Sequence, residues 1–395
     1  MRGKKQGFDY VLAISVFSLV VFGAIMISSA SAVLSFDRFG SSNYYLLRHI
    51  VSASLASAAL IIMSLINYKF WKKLSPFIMF IVILLLVAVS IIGSRFGGAK
   101  SWIDLGFTTF QPTEFLKIAY ILYLAAWLEN RKEHIKDIKY GLFPFAIMTG
   151  FVGLLVIMQP DYGTASIILS SAAFMFVAAG ATIEQILLGG TFSGLLGWIL
   201  IRQSSHAFDR LTVFLNPSAD AQGVGYHINQ ALLAIGSGGM LGLGFGMSRQ
   251  KYHYLPEPMG DSIFAIVSEE FGFLRTLLIV VLFMVIILRG YRIARSAPDM
   301  YGRMVAFGIT SWIGTQAVIN IAAMLNMMPL TGIPLPFMSY GGSALISLMA
   351  SVGILLNISK NAEGEAYESS NSGWRNSRAR YASFKSRRRV TTKRR

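Results

Sequence analysis

Long apolar runs dominate the chain and polar segments interrupt them at regular intervals. The runs fall near residues 10–35, 46–66, 75–93, 112–128, 142–158, 164–181, 183–201, 264–288, 302–326 and 342–358. Each reaches about 17 residues or more, the length an α-helix needs to cross bilayer hydrocarbon. The pattern therefore predicts an all-α integral membrane protein with ten transmembrane helices. No run shows the strict two-residue alternation of a half-buried strand.

Charge gives the direction of the crossings. With the N-terminus inside, the inner segments are 1–9, 67–74, 129–141, 289–301 and the C-terminal tail. They carry Lys69, Lys72, Lys73, Arg131, Lys132, Lys136, Lys139, Arg289, Arg292 and Arg295, besides the cations of both termini. Outer segments carry few. This asymmetry predicts both termini in the cytoplasm. The apolar run after Arg2, Lys4 and Lys5 continues to about residue 35, too long for a cleaved signal, so it reads as a retained first span.

One further apolar stretch, INQALLAIGSGGMLGLGFG at 228–246, competes as an eleventh crossing. It contains six glycines, which weaken a continuous helix. Counting it would also move every later cation to the wrong side. It reads instead as a re-entrant or interfacial element inside one large outer loop, 202–263, between spans 7 and 8. Irregular backbone is tolerated at membrane depth where protein covers it.

Composition agrees with the membrane reading: apolar residues make up 54% and charged residues 14% of the 395, with a mean hydropathy of +0.57. There is no cysteine, which excludes disulfides and thiolate metal sites. The net charge of +16 is concentrated at the end, where residues 360–395 hold eleven Lys/Arg against three Glu. The chain thus divides into a cytoplasmic N-terminus (1–9), a membrane domain (10–358) and a disordered basic cytoplasmic tail (359–395) suited to anionic lipid headgroups. A membrane-anchored tail argues against nucleic acid as its partner.

Four segments gather polar and special residues on the outer side: 95–118, QPDYGT at 159–164, the large loop with GYHINQ and QKYHYLPEPMGDSIFAIVSEEFGF, and PLTGIPLPFMSYGGS at 329–343. Such convergence is what a site requires. Glu114 and Lys117 share one helix face, either as a structural ion pair or as the lining of a polar groove. Trp102 suits an interfacial aromatic anchor. Lys100, Arg210, Arg249 and Lys251 are either ordinary loop charges or, because they run against the positive-inside bias, the holders of a phosphate-bearing ligand. Asp161 suits a turn, and Gln316 and Asn320 suit interhelical hydrogen bonds. Asp261 lies at the mouth of span 8, where it could cap the helix or act as a general base. Glu269 and Glu270 follow on the same helix, which predicts a wet, polar cavity with one of them paired to a cation.

Taken together, GGAKSW…FQPTEFLKI, QPDYGT, QALLAIGSGGMLGLGFGMSRQKYHYLPEPMGDSIFAIVSEEFGF and GIPLPFMSYGGSALISLMASVGILLNIS resemble the signature blocks of the SEDS family (FtsW, RodA and the sporulation homologue). The resemblance spans residues 10–358, and SRQKYHYLPEP and LLNIS lean toward the FtsW branch. It implies a glycosyltransferase that polymerises lipid II into glycan strands on the outer face of the bacterial cytoplasmic membrane in cell division. The partners it implies are a class B penicillin-binding protein and other divisome or elongasome membrane proteins. By position, Asp261 matches the family's essential loop aspartate, and Lys100 with Trp102 the aromatic-basic pair. Gln111, Glu114 and Lys117 match the polar start of span 4, and Arg210 the arginine of the large loop. Where the family often has His-Thr before the aspartate and Phe after it, this chain has Met259, Gly260 and Ser262.

The chemistry suits these residues. An α-linked donor and a β-1,4 product require one inversion, hence one base and a stabilised leaving group. Asp261 would take the acceptor hydroxyl's proton. Lys100, Arg210 or Lys251, or a divalent cation (Mg or Mn), would hold the departing pyrophosphate. A lipid II flippase is the competing reading, and a RodA-type elongation polymerase the other. A flippase should bury ionisable groups near the midplane and show paired broken helices, whereas these charges collect at one end.

Overall fold

The computed structural model describes residues 7–96, 99–104, 109–216 and 223–361. The tail beyond 361 and residues 1–6 lie outside the described residues.

Each apolar run folds as a helix, and polar caps set the ends. Helix α1 (Tyr10–Ala30) starts where Asp9 accepts a hydrogen bond from Leu12 N at 3.0 Å. A short α2 (Ala32–Phe39) follows and stops at Gly40, whose φ of 67° is left-handed. Then come α3 (Tyr44–Leu65), α4 (Tyr68–Ile92), α5 (Pro112–Asn130), α6 (Phe143–Ile157), α7 (Tyr162–Ala178) and α8 (Ile183–Gln203). Thr182 and Gln185 close α8 with a reciprocal capping box. Within the large loop lie α9 (Ser205–Leu215) and α10 (Val224–Gly238). Helices α11 (Ile263–Ser296), α12 (Met300–Met324) and α13 (Gly342–Asn361) complete the bundle.

Among the described residues, eight helices are long and apolar enough to cross a membrane. The other two at expected span positions are α5, which carries Glu114, Lys117 and Glu129, and α7, which has only 17 residues. Helices α12 and α13 form the centre: 78% and 83% of their most apolar stretches are buried, against 6% for α8 at the periphery. α12 packs on α5, α7 and α11.

Three expectations need correction. The fold is not wholly α. Between α4 and α5 the chain forms β1 (Ser94–Phe96), β2 (Ala99–Asp104) and β3 (Thr109–Phe110), an antiparallel sheet of order β1-β2-β3. Trp102, Ile103, Thr109 and Phe110 are residue types that favour strands. The first run is also not one helix: the chain turns at Ser31, and of α2 only Ser35 is buried. Finally, α11 is two helices across a break at Gly272, with φ 72° and ψ 178°.

That break explains the glycine-rich stretch. The chain after α10 runs against the broken ends of α11. Leu243 N donates to Glu269 O at 3.0 Å, Gly244 N to Glu270 O at 2.9 Å and Phe273 N to Gly239 O at 2.9 Å. A Cβ on Gly242 would meet Glu270 O at 2.3 Å, and one on Gly238 would meet Ser268 O at 2.0 Å. The glycines thus let two backbones touch and satisfy the groups that the break exposes. At 1.5 Å per residue, the 15 residues of α10 rise about 22 Å, short of the hydrocarbon thickness.

The two ends of the bundle differ. One gathers Asp9 with Arg289 at 3.1 Å, Lys69 with Asp299 at 3.5 Å and Lys72 with Glu129 at 2.6 Å. These are the starts or ends of α1, α4, α5, α11 and α12. The opposite end collects the start of α11, the end of α12, Asp161 and segment 329–341.

Candidate active site

Asp261 sits two residues before α11, half-buried, and several elements fix its backbone. Gly260 N and Ser262 N donate to Glu257 O at 2.9 and 3.3 Å, folding residues 257–262 into a tight turn. Asn320 of α12 donates to Asp261 O and to Ile333 O, both at 2.8 Å. Tyr340 N donates to Met259 O at 2.8 Å. One buried amide and the 329–341 strap therefore clamp the turn from behind. Helix capping does not account for the carboxylate, because Ser262 holds the N-cap position of α11. Asp161 does cap, accepting from Thr164 N at 3.0 Å.

The two carboxylate oxygens of Asp261 face different surroundings. Oδ1 lies 3.4 Å from Ser262 Oγ. Oδ2 lies toward Gly332, where a side chain's Cβ would come within 3.8 Å of it. Burial raises Asp261 from 3.8 to about 6, against the opposing pull of Ser262 and Arg210. Arg210 of α9 acts on both Asp261 and Asp161. Burial also raises Glu257, helped by the Asp261 charge and opposed by His227 and Arg38. The result is a carboxylate poised near neutral pH opposite a guanidinium.

The polar groups continue inward from Asp161. Lys117 donates to Glu114 Oε1 at 2.8 Å, and each residue is 3% exposed. Lys117 Nζ also lies 3.4 Å from Gln316 Oε1 and 5.0 Å above the Trp312 ring. Ser347 Oγ is 3.5 Å from Glu114 Oε2. Gln316 passes the network to the strap through Pro334 O at 2.9 Å. Of the two readings for Glu114 and Lys117, the geometry favours the buried structural pair.

Glu269, Glu270 and Lys251 form a second cluster, and it is not a wet cavity. Glu269 and Glu270 are 1% and 0% exposed. Glu269 accepts from Ser248 Oγ, Arg249 N at 2.9 Å and Gln250 N at 3.4 Å. Glu270 accepts from Ser29 Oγ at 2.6 Å and pairs with Lys251 at 3.4 Å. Lys251 Nζ also donates to Gly246 O at 2.6 Å and Ser29 Oγ at 3.1 Å. Lys251, expected at a pyrophosphate, instead neutralises this buried cluster. An ammonium has three protons, and protein oxygens take them.

Trp102 and Gln111 lie on the sheet side of the same end. Trp102 is half-buried in β2, paired with Ser94. Gln111 caps α5, and its N–H donates to Ser343 Oγ at 3.2 Å. Lys100 belongs to β2 by its backbone, and its side chain lies outside the described residues. Among the described residues no group of three or more His, Asp or Glu could hold a metal ion. The divalent cation considered from the sequence has no built site there.

The sequence reading missed His227, Glu257 and the pairing of Ser262. His227 Nε2 lies 2.6 Å from Ser262 Oγ, which donates to Pro256 O at 2.8 Å. The only trace in the sequence was the polar stretch GYHINQ. Nothing in linear order joins residue 227 to 262.

The FtsW/RodA/SpoVE family model, described as "Cell cycle protein", matches residues 10–364. Stage V sporulation protein E of Bacillus subtilis (strain 168) is 41% identical over 364 residues, covering 91% of this chain and 99% of that protein. The "Probable peptidoglycan glycosyltransferase FtsW" of Trichlorobacter lovleyi is 36% identical over 354 residues, covering 89% and 93%. Among solved structures, Thermus thermophilus rod shape determining protein RodA aligns with a TM-score of 0.67 at 26% identity, covering 90% of this chain and 97% of that one. A chain from "Structural coordination of polymerization and crosslinking by a peptidoglycan synthase complex" aligns with a TM-score of 0.75 at 25% identity, covering 90% and 98%. The chain belongs to the FtsW/RodA/SpoVE family, the SEDS proteins.

Proposed function

We propose that this SEDS family member is a peptidoglycan glycosyltransferase that polymerises lipid II, with Asp261 as its general base. The observation that supports this best is Asp261 itself: a carboxylate whose backbone Asn320 clamps at the mouth of α11, a pKa near 6, and the charge of Arg210 acting on it. At neutral pH most of the group is ionised yet still basic, the range in which proton abstraction is efficient. Asp261 takes the proton of the acceptor sugar's 4-hydroxyl as that oxygen attacks the donor's anomeric carbon. The carbon–oxygen bond to pyrophosphate breaks on the opposite face, so the α linkage becomes β. Arg210 stabilises the departing charge.

In this reading ten helices cross the cytoplasmic membrane, both termini lie inside, and the Asp261 end faces outward. A class B penicillin-binding protein is the partner, in keeping with the synthase complex to which the fold aligns. The named relatives include an FtsW protein and a sporulation protein; the stretches SRQKYHYLPEP and LLNIS support the FtsW-type role in division for this chain. Purified protein with labelled lipid II and a class B partner tests the assignment. Asp261→Asn should lose about 10²-fold or more of polymerising activity while its thermal unfolding stays unchanged. Full activity in that variant would sink the base assignment. Movement of lipid II across vesicles without polymer would favour the flippase.

A further inference from the structure

Met259 and Gly260 precede Asp261 and Ser262 follows it. The structure brings an imidazole to the hydroxyl beside this carboxylate. His227, from the first turn of α10, reaches 35 residues along the chain to Ser262 at a separation of 2.6 Å. Ser262 is fully buried. Its Oγ has three neighbours: His227 Nε2, Pro256 O at 2.8 Å and Asp261 Oδ1 at 3.4 Å.

A serine hydroxyl has one proton to give. Pro256 O and Asp261 Oδ1 are acceptors only, so that proton serves one or the other. With the hydroxyl proton donated to Pro256 O or Asp261 Oδ1, His227 serves the hydroxyl oxygen as a donor through Nε2–H. Burial lowers the ring's pKa to about 4, against the opposing charge of Glu257 and with Arg210 acting in the direction of burial, which keeps the ring neutral. The chain of donors runs one way, from imidazole to hydroxyl to oxygen. Rotation of the Ser262 hydroxyl alone moves its proton from the carbonyl toward Asp261.

We infer that His227 and Ser262 form a positioning pair for Asp261, with the hydroxyl acting on the carboxylate and the imidazole holding the hydroxyl in place. The pair orients Oδ1, so that Oδ2 is the oxygen presented beside Gly332. The other groups around Asp261 have different tasks. Arg210 of α9 acts on the charges of Asp261 and Asp161. Asn320 of α12 holds the backbone oxygen, and Glu257 adds a like charge from the same turn, with Arg38 acting on Glu257. Ser262 hydrogen-bonds the Asp261 carboxylate through its side chain. Removing it should make the carboxylate harder to ionise and less well aimed.

The inference rests on Asp261 as the base, and the experiment separates the two. Polymerisation of labelled lipid II is measured from pH 5 to 9 for the full chain, Ser262→Ala, Ser262→Thr, His227→Phe, the Ser262→Ala/His227→Phe double variant and Asp261→Asn. Ser262→Ala should move the acid limb up by about half to one pH unit and lower kcat about 3- to 10-fold with little change in KM. Ser262→Thr should restore the wild-type limb. His227→Phe should move it the same way, and the double variant should be no worse than the more affected single, because the two act as one unit. Thermal unfolding in detergent identifies variants that fail to fold. If Ser262→Ala is one of these, the His227→Phe limb decides, an unshifted limb overturning the pair. A wild-type pH profile in both single variants, or strictly additive losses, also overturns it while Asp261→Asn remains inactive. An active Asp261→Asn overturns the base reading instead.

Discussion

At the scale of residues, Asp261 makes a pH-dependent claim. Its pKa is raised from 3.8 to about 6 because folding buries it. A raised carboxyl binds its proton more tightly in the folded state than in the unfolded one. Its contribution to stability is thus present below pH 4 and is lost as pH climbs through about 6. Catalysis has the opposite sign, because the base is the ionised form. Polymerisation should rise with pH and reach half its plateau near 6, with the limb absent from Asp261→Asn residual activity. Glu114 and Lys117 make the second claim at this scale. Removing one partner leaves the other charged in a site that is 3% exposed. Lys117→Met should destabilise the protein by about 3–5 kcal/mol. The double variant Glu114→Gln/Lys117→Met should recover most of that, as read from unfolding temperatures in detergent. The sequence showed that both residues share a helix face. It did not show that Gln316, Trp312 and Ser347 from two other helices close around them.

At the scale of elements, the break in α11 is the decisive feature. Gly272 has a backbone conformation that side chains rarely adopt, and a Cβ there would meet Gly242 N at 2.2 Å. Gly272→Ala combines backbone strain with overpacking, each of about 1–3 kcal/mol. It should lower stability by about 2–5 kcal/mol and loosen the 246–251 loop, with activity falling in step. Unfolding temperature and limited proteolysis of that loop would check it. The same glycine in the sequence looked like any other residue within an apolar run. Helix periodicity cannot register a single residue whose partner lies on another segment. The small sheet was missed for a related reason: β1 and β3 are three and two residues long, too short for an alternating pattern.

At the scale of the whole molecule, the proposed topology places Asp261 outside and the Asp9–Arg289 end inside. The chain has no cysteine, so single cysteines report sidedness directly. Tyr254 is 56% exposed beside the site, and Glu133 is exposed between α5 and α6. Tyr254→Cys should react with a membrane-impermeant thiol reagent in intact cells, and Glu133→Cys only after lysis. The reverse pattern would overturn both the topology and the outer-face reaction.

The sequence alone determined the helical membrane class and the positions of the long apolar helices, and it put forward a direction of crossing and Asp261 as proposals. All of these depend on composition and period, which are local properties of a chain that must bury its backbone groups within lipid. The tertiary structure alone decided which charges are spent. Lys251 and Glu270 neutralise each other, Glu269 holds a loop, Lys117 belongs to Glu114, and Arg210 shares its charge between Asp261 and Asp161. It also decided that His227 and Ser262 meet, and that Gly272 breaks a helix the pattern drew as continuous. These outcomes depend on distances between segments far apart in the chain. Hydrogen bonds and ion pairs fall off within a few ångströms, so only folding selects which of the many possible pairs is made.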